Sequence, residues 1–142
     1  MYTNIIIPVE IFSDSPAKRE LSSAQYFSNI NAGHVHLLAV IPNSVYLRAK
    51  KHFVDTKRLK KVLSTLAANR LAELTRRLVL PTGFVHRHIH FGDLNDAVRL
   101  LAIKKQADIV ILDKGMDSRS SPQSEMDLSG FLQKNEIPVL LL

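Results

Sequence analysis

The sequence predicts an α/β domain built on a doubly wound, open sheet of five mainly parallel strands with four helices. Three observations carry this. Strand-like and helix-like patterns alternate along the whole chain, which calls for crossover connections and hence parallel pairing. Several strand candidates are apolar at consecutive positions, as strands covered on both faces are. The 142 residues are enough to bury about two thirds of the unfolded surface around one core, so a single domain over 1–142 is expected.

The first strand is predicted over residues 4–9, with Pro8 at its carboxyl edge. Ser13, Asp14 and Ser15 ahead of Pro16 form a helix start, because short side-chain oxygens cap free amides and proline suits a first turn. Ala17, Leu21, Ala24, Tyr26 or Phe27, and Ile30 give that helix an inward face, and Gly33 is expected to end it with positive φ. HVHLLAVI, closed by Pro42, is the second strand. After a basic connector, Leu59, Val62, Leu63, Leu66, Leu71, Leu74 and Leu78 recur near the helical period. They predict a long helix from Asp55 or Thr56 to about Leu78, stopped ahead of Pro81 and Gly83.

Residues 84–91 alternate as a third strand, with Val85, Ile89 and Phe91 on one side. Gly92 and Asp93 turn the chain into a helix capped by Asp93 or Asn95, with Ala97, Leu100, Leu101 and Ile103 inward. ADIVILDKG, residues 107–115, is the predicted central strand, apolar at four successive positions. A polar loop, a short helix near 128–134 and a last strand over 137–142 complete the pattern. Ligands of such sheets bind beyond the carboxyl ends of the strands, which directs attention to Lys114, Gly115 and the loop after them.

Composition narrows the function classes. There are no cysteines, which excludes a disulfide framework, a thiol nucleophile and cysteine-ligated zinc and suits a reducing compartment. The amino terminus reads as a strand rather than a signal peptide, and no apolar run approaches the ~18 residues of a membrane span. Cytoplasm is the expected location. The formal charge of +6 is concentrated in RAKKHFVDTKRLKK, residues 48–61. Such a surface suits nucleic acid or anionic partners, but no aromatic stacking platform accompanies it, so a solvated helix face is the plainer expectation.

Catalysis has little support: serines 118, 120, 121, 124 and 129 have no evident histidine partner, and no nucleophile-elbow motif is present. The histidines form a separate pattern. His86, His88 and His90 fall on one face of the third strand, and His34 and His36 on one face of the second. Imidazole is a common metal ligand and titrates near neutrality, so these five are candidates for a divalent-cation site or a pH-responsive surface. Partly solvated polar positions on an outer strand are the simpler expectation, with no metal bound.

NIIIPVE, GHVHLLAVIP, GDLNDAVRLLAIKKQADIVILDKG and IPVLLL, in this order and spacing, resemble the universal stress protein family over essentially the whole chain. The resemblance implies a Rossmann-like fold with strand order 3-2-1-4-5. That order would make the second and third strands neighbours and bring five of the six histidines to one end of the sheet.

In ATP-binding members the central strand is followed by Gly-x2-Gly-x9-Gly-(Ser/Thr), whose glycines let backbone amides approach the phosphates. Here Gly115 matches the first position, Ser118 stands at the second glycine, Leu128 at the third and Ser129 at the hydroxyl. Counting back from Pro138 instead puts Glu125 and Met126 at the last pair, which places a carboxylate where an anion would sit. On the adenine side, Pro8 and Glu10 stand where the family usually carries an aspartate, and Val40 matches the second-strand residue. The resemblance therefore implies a homodimer joined through the last strand. Its role would be a non-enzymatic stress or regulatory one, without ordinary ATP binding. A weak adenine-nucleotide sensor and a basic nucleic-acid-associated module are the alternatives.

Overall fold

A computed structural model describes residues 3–11, 17–52, 55–112, 132 and 134–142, apart from the side chain of Glu10. Five strands form one sheet: β1 (Asn4–Glu10), β2 (His34–Ile41), β3 (Val85–Phe91), β4 (Ile109–Leu112) and β5 (Val139–Leu141). Their order is β3-β2-β1-β4-β5 and every pairing is parallel. The predicted architecture and strand order are therefore those found. The middle position, however, belongs to β1 and not to β4, which lies between β1 and β5. Both strands are covered on two faces, so an unbroken apolar run marks each as interior without ranking them.

Four helices are described: α1 (Lys18–Asn31), α2 (Asn43–Lys50), α3 (Thr56–Thr75) and α4 (Leu94–Lys105). Helices α1 and α3 cover one face. Leu21 and Ala24, with Leu59, Leu63, Ala67, Leu71 and Leu74, pack there on Ile5, Ile7, Val35, Leu37, Ile109 and Ile111. On the other face, Ala97, Val98, Leu101 and Ala102 of α4 pack with Leu132 on Ile6, Leu38, Val40, Val110 and Leu112. Alternate residues of β1, β2 and β4 thus feed two separate cores, which is what double winding requires.

The helices depart from expectation at definable points. α2 arises within the region predicted as a basic connector, and it has no fully buried residue, so an inward stripe could not announce it. In α3 the Asp55 carboxylate caps the first turn by accepting from the backbone N–H groups of Lys57 and Arg58. The buried stripe is Leu59, Leu63, Ala67, Leu71 and Leu74; Val62 and Leu66 lie on the outer face, about half exposed. Tyr26, Ile30, Leu100 and Ile103 are likewise exposed, because each lies off the narrow stripe that meets the sheet. α3 ends at Thr75, with turns carrying the chain to Leu78.

At the end of α1, Ala32 and not Gly33 takes the left-handed conformation (φ 51°), and both donate to the Ser28 carbonyl. The predicted cap around Ser13–Pro16 lies outside the described residues, and the helix begins after Ala17. The predicted helix near 128–134 also falls almost wholly outside them. One carboxylate fixes the amino-terminal edge of the sheet. Asp108 Oδ2 accepts from Thr3 N–H (2.9 Å), Thr3 Oγ1 (2.8 Å) and Asn4 N–H (2.9 Å), tying the start of β4 to the start of β1. Among the described residues, no helix is long and apolar enough to cross a membrane.

Candidate functional site

The carboxyl ends of β1 and β2 place the adenine-side candidates in one row. Glu10 pairs in register with Val40, and Val40 with His90. Pro8 is buried within β1 and stands opposite Leu38. Val40 is 4% exposed and belongs to the core beneath α4, so its side chain is structural whatever its backbone does. The side chain of Glu10 lies outside the described residues, as do Gly115, Ser118, Ser129 and the loop that holds them.

The turn from β3 into α4 closes the same end of the sheet. Gly92 (φ 147°) donates its N–H to the Ile41 carbonyl at 2.9 Å. A β-carbon there would come within 3.1 Å of His90 Nε2, so this turn requires glycine. Asp93 is the N-cap residue by backbone position, yet its side chain makes no cap hydrogen bond. Asn95, predicted as an alternative cap, sits inside the first turn, 2% exposed, with neither Oδ1 nor Nδ2 partnered among the described residues. Its spacing from Val98 and Ala102 is the sequence signal that it faces inward. A buried amide with no partner is costly, which sets Asn95 apart among the described polar groups at this end.

His34, His36 and His86 lie toward the opposite, amino-terminal side of the β2–β3 pair and His88 at mid-strand, whereas His90 lies at the carboxyl end opposite Val40. His36 is opposite His86, and Leu38 opposite His88, so the rings interleave across the two strands. His34 Nδ1 and His86 Nε2 are 2.9 Å apart, and His36 Nδ1 and His88 Nε2 are 3.0 Å apart. Successive ring centroids from Phe84 through His34, His86, His36 and His88 lie 4.6, 5.1, 4.7 and 5.3 Å apart.

Asn4 orders the inner rung of this ladder. Its Oδ1 lies 3.1 Å from His36 Nε2 and can only accept, so His36 carries its proton on Nε2 and presents a bare Nδ1 to His88, which donates. His36 is 2% exposed. Burial first, then the neighbouring His86, His88, Lys105 and His34, push its pKa down from 6.5 to about 3. Burial also lowers His86, helped by His34 and Lys105, and lowers His88, helped by Lys105, His86 and Lys104. Lowered in this way, His36, His86 and His88 are neutral at pH 7.

His90 makes none of these ring contacts, although it shares the strand face. Among the described residues, no three His, Cys, Asp or Glu side chains are grouped to hold a metal ion. Strands β2 and β3 are neighbours as expected, but only His34, His36, His86 and His88 come together; His90 lies at the other end of its strand, because a strand of seven residues carries its alternate positions from one end of the sheet to the other.

An all-parallel sheet in the order 3-2-1-4-5, with helices on both faces, places the chain among Rossmann-like α/β proteins. A scan of family models finds no match. Universal stress protein G of Escherichia coli O157:H7 is 27% identical over 142 residues, covering 100% of this chain and 99% of that protein. A hypothetical protein, MJ0577, whose structure was used to assign its biochemical function, superposes with a TM-score of 0.70 at 22% identity, covering 100% of this chain and 96% of the other. A universal stress protein solved in complex with cAMP gives 0.60 at 10% identity, covering 99% and 96%. The chain is thus similar over its full length to a curated universal stress protein, and it shares the fold of these solved structures.

Proposed function

We propose that the chain is a stress-response or regulatory domain of the cytoplasm that acts by association, without catalysing a reaction and without holding ATP through a glycine cradle. The observation that carries this is the sequence beyond β4: of the three glycine positions of Gly-x2-Gly-x9-Gly-(Ser/Thr), only Gly115 is kept, with Ser118 and Leu128 at the others. A side chain at those places keeps backbone amides away from phosphate oxygens.

Association is supported by the edge of the sheet. β5 is an outer strand with Val139 and Leu141 38% and 43% exposed, and such an edge needs cover. A second copy of the chain is the expected cover, giving a homodimer.

A second reading is favoured by the relative solved with cAMP and by the unpartnered Asn95 amide: the chain senses an adenine nucleotide through contacts other than the glycines. The deciding experiment denatures the purified protein, looks for released nucleotide, and then titrates the native protein with ATP and magnesium and with cAMP. No released nucleotide and an unchanged melting temperature are expected. Co-purified ATP, or saturable binding at about micromolar concentration, would overturn the first reading in favour of the second.

A further inference from the structure

We infer that the outer face of α3 is a docking surface for an acidic, amphipathic helix of another protein, received between two ridges of side chains. Residues four apart stand in line on a helix surface. Arg58, Val62 and Leu66 form one such line, and Lys57, Lys61 and Thr65 the line beside it; together they border one open groove. Each line is cationic towards the amino end of α3 and uncharged beyond it. Ridges of this spacing interdigitate in the commonest class of helix packing. The six residues span about 14 Å, which suits a partner helix of roughly three turns.

The charge of this face is not matched within the described chain. The first two turns of α3 contain Lys57, Arg58, Lys60 and Lys61 and no acidic residue. Cations at a helix amino terminus oppose the macrodipole, and like charges four apart, as at Lys57 and Lys61, repel. Lys60 is engaged elsewhere, its Nζ lying 5.6 Å from the ring centroid of Tyr46 and 5.9 Å from that of Phe91. The Asp55 carboxylate is committed to the cap. Further along the helix Arg70 and Arg77 share Glu73 at 3.2 and 3.0 Å, whereas among the described residues Lys57, Arg58 and Lys61 enter no ion pair. A helix that acids in its first turn would steady keeps cations there, and carboxylates brought by a partner relieve the repulsion.

The apolar half selects the kind of partner. Val62 and Leu66 are about half exposed and continue the line that Arg58 begins. An aliphatic pair on a facing helix would bury them. Phosphates gain nothing from them, and neither line carries an aromatic ring on which a base could stack. The chain also has no tryptophan to anchor a bilayer interface. Carboxylates against Lys57, Arg58 and Lys61, followed one turn later by leucine-like side chains against Val62 and Leu66, complement both halves of the groove.

The surface is separate from the edge strand. α3 lies against β2 and β3, while β5 closes the other side of the sheet. Docking on α3 therefore stands or falls independently of the homodimer and of nucleotide binding.

The test uses the full chain at about 150 mM salt, where distant charges are screened, and fluorescein-labelled model helices of alanine, glutamate and leucine about eighteen residues long, read by fluorescence anisotropy. Two of them carry glutamates at one end and a leucine pair four apart at the other, one in each chain direction; a third keeps the glutamates and has alanine for leucine. At least one of the first two should bind at about 10–100 μM, and the third at least about fivefold more weakly. Lys57→Glu, Lys61→Glu and Leu66→Ala should each weaken binding about tenfold, while Lys104→Glu on α4 leaves it unchanged. Lys57→Glu should also raise the Tm of the free protein by about 1–3 °C, which separates lost docking from lost folding. The inference is overturned if neither glutamate–leucine helix saturates the protein, if the leucine-free helix binds as well, or if the charge reversals weaken binding only together with a fallen Tm. It is overturned equally if duplex DNA, single-stranded RNA or phosphatidylglycerol vesicles bind more tightly than the helices and do so regardless of Leu66.

Discussion

Removing the Asp108 carboxylate should unlatch β1 from β4. In Asp108→Ala three donors lose their shared acceptor, and two of them are the backbone N–H groups of Thr3, just before β1, and Asn4, its first residue. A hydrogen bond to a charged group contributes about 1.5–3 kcal/mol, but three on one oxygen are not additive. The site is partly buried, so water recovers some of the loss. The expected cost is about 3 kcal/mol, or a fall of roughly 9 °C in Tm for a chain of this size.

Two further variants divide that figure. Thr3→Val removes only the hydroxyl donor and should cost about 1 kcal/mol, and Asp108→Asn keeps an oxygen acceptor without the charge and should cost about 1–1.5 kcal/mol. The chain has no tryptophan, so urea unfolding is followed by far-ultraviolet circular dichroism. The reasoning is refuted if Asp108→Ala lies within about 0.5 kcal/mol of the parent, or if the asparagine variant is as unstable as the alanine one.

Three other outcomes follow from the same structure. Leu141→Glu places a charge on the exposed edge of β5 and should shift the mass measured by light scattering to that of one copy, with little change in far-ultraviolet signal. Asn95→Leu replaces an unpartnered buried amide by an apolar side chain and should raise stability by about 1 kcal/mol in a urea melt; a loss of stability would show that the amide has a partner. Leu63→Ala should cost about 2–4 kcal/mol, whereas Leu66→Ala, one helical step away on the outer face, should stay within about 0.5 kcal/mol. Parallel thermal melts of these last two measure how narrow the buried stripe of α3 is.

Much of the fold could be read from the sequence because its strands and inward helix faces obey sharp periods. Ile5, Ile6 and Ile7 are wholly buried, and the Leu59–Leu63–Ala67–Leu71 series repeats every fourth residue. What escaped was set by competition between elements. Val62 and Leu66 are as apolar as their neighbours, and only the position of the sheet decides which face they take. α2 carries no buried stripe at all. At the site, periodicity placed the histidines on shared faces, but the Asn4 contact and the ring stacking depend on cross-strand register, which no single strand encodes. Asn95 was read as a cap because asparagine is common there; its burial depends on how α4 settles on the sheet.

The two edges of the sheet differ in kind. β3 presents His86, Arg87, His88 and His90 along its length with the exposed Ile89 among them, while β5 ends the sheet with exposed valine and leucine. In the proposed homodimer, contact through β5 is self-complementary and covers that margin of each copy, which would stop assembly at a pair.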